Sequence, residues 1–94
     1  MKGITIHELY DFLLHNHEIE FSYNNALFSM EPYSDDKNSY FAIWNCSDVG
    51  ELIAISVRSH CDNNLAIDRL LNIQCFDGKS FREIEKDVTV TVIY

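Results

Sequence analysis

The sequence predicts a small single α+β domain over residues 1–94, a mainly antiparallel sheet of about four or five strands with helices on one face. The expected order is α-β-β-β-β-α-α-β. Apolar residues recur with helical spacing near the start and after residue 62, whereas residues 18–31 alternate as strands do and residues 88–94 are rich in β-branched side chains. With 94 residues, 47% of them hydrophobic, the chain can bury one core and is not a disordered acidic tail.

The first helix is predicted over about residues 5–16. Thr5 followed three residues later by Glu8 matches a capping box, in which the two residues satisfy each other's free backbone N–H groups. The apolar stripe has the spacing i, i+3, i+4, i+7 and i+8 and comprises Ile6, Leu9, Tyr10, Leu13 and Leu14.

Two strands are predicted next, at residues 18–23 and from residue 26, joined by a tight turn at residues 24–25. Both turn residues are Asn, which tolerates positive φ. The second strand should place Phe28 and Met30 on its core face and Glu31 on the other. Pro32 lacks a backbone donor and is expected to end this strand or to mark it as an edge strand.

The remaining elements follow from turn and cap signals. Residues 34–39 read as a polar loop, 40–46 as a central strand, 47–50 as a turn and 51–58 as the next strand, so that strands two to four form an antiparallel meander. A second helix should begin near Asp62 or Asn63, either of which is a good N-cap, and end near residue 72, burying Ala66, Ile67, Leu70 and Leu71. A turn at 77–78, a capping box from Ser80 and a helix of about two turns should precede the last strand, 88–94.

The charge is strongly acidic and unevenly distributed. Fifteen Asp and Glu face seven Lys and Arg, a net charge of −8 with a pI near 4.7. Residues 1–57 have a net charge of −7 and residues 58–94 a net charge of −1. Direct binding to nucleic acid or to an anionic membrane needs basic surfaces, and this composition argues against both. The asymmetry suggests a surface for a partner, although it also serves solubility.

The N-terminal region and the cysteines predict a cytoplasmic protein. Glu8 and Asp11 interrupt the apolar run that a signal peptide would need, and no stretch reaches the length of a membrane span. Cys46, Cys61 and Cys75 are odd in number and form no Cys-x-x-Cys pair, which favours reduced thiols.

The sequence predicts neither a catalytic site nor a metal site. His15 and His17 should diverge at a helix end, and no second ligand pair follows them. His60 and Cys61 are sequence neighbours whose side chains point apart in an extended segment, which disfavours a catalytic thiol. Cys46 and Cys75 lie in apolar stretches of the sequence and are expected to be buried, inert thiols.

Two carboxylate pairs, Glu18 with Glu20 and Asp35 with Asp36, could in principle support acid–base chemistry, but their positions on an outer strand face and in a polar loop predict solvated side chains. We therefore expect no enzyme activity and no cofactor.

Several segments resemble a family of small proteins from gut Firmicutes genomes and their mobile elements, a family without an assigned activity. The matching pieces lie at residues 20–24, 30–32, 40–41, 43–44, 70–71 and 76–84, the last reading FDGKSFREI. The resemblance covers roughly residues 18–85, and it implies no functional role for any residue.

The sequence favours a non-enzymatic protein-interaction module. The alternative is an inhibitor of the phage or mobile-element type, resembling anti-CRISPR and other DNA-mimic proteins, which would bind a basic nucleic-acid-binding protein through its acidic face. The residues expected to contact a partner are Glu8, Asp11, Glu18, Glu20, Asp35 and Asp36. A homodimer paired through residues 88–94 is a further expectation.

Overall fold

A computed structural model describes residues 1–47, 49–58 and 62–94. The elements are α1 (Ile6–Leu14), β1 (Ile19–Tyr23), β2 (Ala26–Ser34), β3 (Ser39–Asn45), β4 (Glu51–Val57), α2 (Asn63–Leu71), α3 (Phe81–Ile84), a 3₁₀ turn (Glu85–Asp87) and β5 (Thr89–Ile93). This is the predicted α+β class with the predicted order of elements. None of the helices in the described ranges is long and apolar enough to cross a membrane.

The five strands form one sheet in the order β4-β3-β2-β1-β5, and every neighbouring pair is antiparallel. Strands β1 to β4 form the meander, and β5 returns beside β1. The β1–β2 hairpin turns at Asn24 and Asn25, whose φ angles are 53° and 64°, as the Asn-Asn pair predicts.

The helices cover one face of the sheet, and the core lies between them. Ser56 of β4 donates a hydrogen bond to the carbonyl oxygen of Ala66 in α2 at 2.7 Å, which places α2 on the face of Ser56. The buried strand residues on this helix-covered face include Ile19, Phe21, Met30, Phe41 and Ile43. The helices contribute their apolar stripes, with Leu9, Leu13, Ala66, Ile67, Leu70 and Leu71 buried as predicted.

Polar contacts hold the three helices together at their outer surface. Tyr10 of α1 donates a hydrogen bond to the carboxylate of Asp68 in α2, and Arg82 of α3 donates to both the Tyr10 hydroxyl and Asp68. The hydrogen bond from Tyr10 and then the Arg82 guanidinium lower the pKa of Asp68, whereas burial and the Asp68 carboxylate raise the pKa of Tyr10. The predicted capping boxes at Thr5 and Ser80 are both formed.

The prediction that Pro32 ends the second strand or marks an edge is wrong. β2 continues through Pro32 to Ser34 and is an inner strand. The Cys46 N–H donates a hydrogen bond to the carbonyl oxygen of Leu27, so these two residues form a hydrogen-bonded pair. Hydrogen-bonded and non-hydrogen-bonded pairs alternate along an antiparallel ladder, and Pro32 and Phe41 are therefore a pair without hydrogen bonds. The missing N–H of Pro32 therefore points toward β1, which begins only opposite Met30, so no ladder hydrogen bond is lost.

The outer edge of β5 is partly occupied by the N-terminal segment. Lys2 forms a parallel bridge to Thr89, with hydrogen bonds from the Lys2 N–H to Val88 and from the Val90 N–H to Lys2 at 2.9 and 2.8 Å. Gly3, at φ +105°, permits this approach, because a Cβ there would lie 3.0 Å from both the Cβ and the carbonyl oxygen of Val90.

Candidate interaction surface

The sheet face opposite the helices carries an unusual number of apolar and aromatic side chains. Within the described ranges, no helix or strand packs over it. We call it the open face. Its residues are Glu18, Glu20, Ser22, Leu27, Ser29, Glu31, Tyr33, Tyr40, Ala42, Trp44, Leu52, Ile55, Val57, Thr89 and Val92. An outward sheet face normally alternates to polar residues, whereas here the outward positions of the central strand β3 are Tyr40, Ala42 and Trp44.

An aromatic cluster of Tyr33, Tyr40 and Trp44 occupies the middle of the open face. The Tyr33 ring stacks on Tyr40 with 6.0 Å between centroids and meets Trp44 edge-on at 5.9 Å. Along the strand direction, Tyr33 and Trp44 lie on either side of Ala42. Ala42 points away from the helices and is nevertheless fully buried. The cluster thus presents a preformed, rigid aromatic surface.

Two carboxylates meet beside this cluster. The β1–β2 register, extended by one residue from the Ile19–Met30 pair, places Glu18 opposite Glu31. Burial and a hydrogen bond shared with Glu18 raise the pKa of Glu31 to about 7. Glu31 thus retains a proton close to neutral pH.

Two neighbouring groups act on the carboxylates of the open face, Trp44 on Glu31 and Tyr94 on Glu20. The indole N–H of Trp44 lowers the pKa of Glu31 in opposition to the burial, yet its nitrogen is buried and makes no hydrogen bond of normal geometry. The Tyr94 hydroxyl donates to Glu20 at 3.0 Å, and this contact raises the pKa of Tyr94.

The six acids predicted to contact a partner fall into three separate places. Glu18 and Glu20 lie on or beside the open face. Glu8 and Asp11 lie on α1, across the sheet, where the Glu8 carboxylate completes the capping box. The remaining two lie in the β2–β3 loop.

In that loop Asp35 serves the local fold. Its carboxylate accepts hydrogen bonds from the backbone N–H groups of Lys37 and Asn38, both at 2.8 Å, and from the Tyr40 hydroxyl. The two backbone hydrogen bonds are the main cause of a lowered pKa of Asp35. Asp36 is exposed beside it. The partner-binding role of all six acids stays a prediction.

The histidines considered as metal ligands are engaged separately. His15 Nδ1 lies 2.7 Å from the carbonyl oxygen of Asp11, and the His17 ring packs edge-on against Phe12. In the part of the chain that the structure describes, no three His, Cys, Asp or Glu side chains converge in a way that could hold a metal ion.

The cysteines differ from expectation in one case. Cys46 is exposed, because β3 ends at Asn45 and leaves the thiol at the sheet margin, so the prediction of a buried thiol there is wrong. Cys75 is half-buried, and burial raises the pKa of its thiol. The His60–Cys61 pair lies outside the described residues.

The two larger surface depressions lie away from the open face. A polar one is bounded by the Asp35–Ser39 loop, Arg58, Asn16 and Asn63, and a smaller one lies between the β1–β2 turn, Cys75 and Phe76. Glu18 and Glu31 line neither of these two depressions.

No family model, curated protein or solved structure matches this chain. The resemblance to the Firmicutes family therefore stays a prediction. Its most specific piece has a structural role here: Phe76 and Lys79 bridge across a tight turn at Asp77 and Gly78, and Ser80 begins α3.

Proposed function

We propose that the protein acts by binding another protein through the open face, without catalysing a reaction. The observation that carries this proposal is the exposed apolar and aromatic surface on the uncovered side of the sheet. Surfaces that combine Tyr and Trp anchors with apolar neighbours are typical of protein-binding sites, because such rings give large contact areas at low conformational cost.

The surroundings of the aromatic cluster support the same function. Leu52, Ile55 and Val57 of β4 continue the apolar surface from the cluster to the edge of the sheet. Val92 of β5 lies at the opposite side, beyond Glu20. Grouped exposed apolar side chains of this kind are uncommon on soluble domains that have no partner.

The test compares two matched substitutions. Ile55 on the open face is 42% exposed, and Leu65 on α2 is 44% exposed. Ile55→Asp should abolish capture of a specific protein from lysate of the producing cell, whereas Leu65→Asp should leave it unchanged. The captured protein is then purified, and its binding to the wild type, to Ile55→Asp and to Leu65→Asp is measured by calorimetry.

Both variants should have the melting temperature of the wild type, which ensures that lost capture reflects the changed surface and not unfolding. Equal capture by the two variants would contradict the open face as the binding surface. The same screen tests catalysis, since turnover of esters, phosphoesters or peptides by the homogeneous protein would contradict a purely binding role.

The inhibitor hypothesis stays a prediction. A DNA mimic presents carboxylates along one surface, and the six acids named from the sequence are divided between α1, the open face and the β2–β3 loop. Glu18, Glu20 and Glu31 form the only grouping of carboxylates on the open face within the described residues, so a basic target would be contacted there.

A further inference from the structure

We infer that the partner presents a basic side chain flanked by apolar ones, and that it seats this side chain on Glu18 and Glu31 while the apolar groups cover the aromatic cluster. This inference rests on the proposed function and names the chemistry of the partner. It follows from how charge and apolar surface are arranged on the open face.

The carboxylates and the apolar surface lie in one row across the sheet. Glu31 has Glu18, the residue before β1, as its neighbour on one side and Ala42 of β3 as its partner on the other, and Ala42 in turn pairs with Ile55 on β4. The Tyr33 and Trp44 rings flank this row. A ligand lying across the strands therefore meets the carboxylates first, then the Tyr33 and Trp44 rings beside the buried Ala42, and then the exposed side chain of Ile55.

Among the residues that the structure describes, no Lys or Arg lies on the open face. None of the five strands contains Lys or Arg. Arg58, which follows β4, lies 4.5 Å from the centroid of the Phe41 ring and so belongs to the helix-covered side. Negative charge beside aromatic rings is a suitable receptor for a guanidinium or an ammonium group, which gains from both.

A second copy of this chain does not fit the same surface. Two open faces placed together would bring the three glutamates of one copy toward those of the other, and each copy has a net charge of −8. Like charges brought into a desolvated interface are destabilising, whereas a basic partner removes the repulsion that already exists between Glu18 and Glu31.

The arrangement also makes binding depend on pH. The groups around Glu31 are the carboxylate of Glu18, just before β1, the ring of Tyr33 on its own strand, and Tyr40 and Trp44 on β3. Glu20 and Tyr94 lie beyond Glu18. Below pH 7 the Glu31 carboxyl holds a proton, as its raised pKa indicates. A cation must displace that proton, so affinity should increase as the pH rises through 7.

The experiment uses a library of random twelve-residue peptides displayed on phage. The full chain is immobilised at pH 8, and phage that also bind the Ile55→Asp variant are removed. Enriched peptides without His are synthesised with a fluorescent label, and their dissociation constants are measured by anisotropy with the wild type, Glu31→Gln and Asp87→Asn. The last two variants lose the same unit of charge, and Asp87 is an exposed residue of the 3₁₀ turn.

We expect enriched peptides to contain Lys or Arg between apolar residues. Glu31→Gln should weaken binding by about tenfold or more, and Asp87→Asn by less than about twofold, because only the first removes a contacting charge. Wild-type affinity should fall by a similar factor from pH 8 to pH 5.5, and Glu31→Gln should lose that dependence.

Four results would overturn the inference. Enrichment of neutral or acidic peptides that need Ile55 would reject the basic ligand and leave the binding function standing, as would equal affinity for Glu31→Gln and the wild type. Sedimentation showing a dimer that Ile55→Asp dissociates would assign the face to a second copy. No enrichment over the Ile55→Asp variant would reject the docking surface as well as its ligand.

Discussion

Both faces of the sheet carry apolar residues, which are buried on the helix-covered face and partly exposed on the open face. On the helix-covered face, Phe21, Met30 and Ile43 are at most 1% exposed and are enclosed by α1, α2 and α3. On the open face, Ile55 and Val57 are 42% and 53% exposed. The first face derives its stabilisation from removing apolar area from water, whereas the second leaves that area in contact with water.

The comparison shows that apolar alternation in a strand does not by itself identify the core. β3 is apolar on both sides, and only its contacts with α2 distinguish the side that stabilises the fold. The other side also carries the Glu18–Glu31 pair, whose raised pKa for Glu31 reflects an unfavourable interaction within the folded domain. A surface that lowers stability in this way is typical of a binding site.

The largest expected effect comes from breaking the helix-covered face. Phe21→Ala removes a ring that contacts Phe28, Phe76 and Phe81 with centroid separations of 5.5, 6.2 and 5.4 Å. We expect the free energy of unfolding to fall by about 3–5 kcal/mol, because the enclosed site cannot collapse to fill the space. Urea denaturation monitored by circular dichroism measures it, and a loss below about 1 kcal/mol would show that Phe21 is not central to the core.

A smaller effect is expected where the helices are joined. Tyr10→Phe removes the hydroxyl that links Asp68 and Arg82 and should cost about 1 kcal/mol, the usual net value of one partly exposed hydrogen bond. The lowered pKa of Asp68 adds a pH dependence: its contribution to stability is complete above the pKa of the unfolded chain and is lost as the pH falls through the folded value.

Denaturation of the wild type and Tyr10→Phe between pH 2 and pH 7 tests both statements. The difference between the two proteins should diminish in acid. A constant difference would mean that the hydroxyl contributes independently of the Asp68 charge.

On the open face a substitution is expected to stabilise the protein. Glu31 has a folded pKa of about 7, above its ordinary value of 4.5, so its favourable contribution is complete below pH 4.5 and is lost as the pH rises through 7. Glu31→Gln should therefore raise the free energy of unfolding by about 1 kcal/mol at pH 8, a value reduced by the partial solvation of the carboxyl.

The same variant should have no stabilising effect at pH 4, where Glu31 is protonated in both states. Unfolding measured at pH 4 and pH 8 gives the comparison. Destabilisation at pH 8 would mean that the ionised carboxylate has a favourable partner in the free protein.

The smallest effect is expected at the exposed end of the same row. Ile55→Thr keeps a β-branched side chain on an edge strand and should change stability by less than about 0.5 kcal/mol. A loss above 1 kcal/mol would mean that Ile55 is enclosed in solution, for example by self-association, and sedimentation at several concentrations would identify that cause.

Most of the fold could be predicted from local signals. The stripe of α1, the two capping boxes, the Asn24–Asn25 turn and the buried residues of α2 depend on interactions within a few residues of one another. Pro32 was predicted wrongly because its cost depends on where β1 begins, which is a property of strand pairing and not of the proline.

The candidate site was harder to predict from the sequence, because it joins segments that are distant along the chain. The sequence drew attention to Glu18 and Glu20, adjacent on one strand, whereas the acid that Glu18 meets is Glu31 on the next strand. A signal for this pair was present: a two-residue turn at Asn24 and Asn25 sets the register and places residue 18 opposite residue 31. The uncovered state of the aromatic cluster depends on helix placement, which no local pattern determines.

The bridge between Lys2 and Thr89 has a consequence for the behaviour of the protein at high concentration. A sheet can grow into a fibre only if copies add at both of its margins. Lys2 occupies part of the margin at β5, and Gly3 is the residue that lets it do so. A bulky residue in place of Gly3 should displace Lys2 and leave more of the β5 margin open to pairing with another copy.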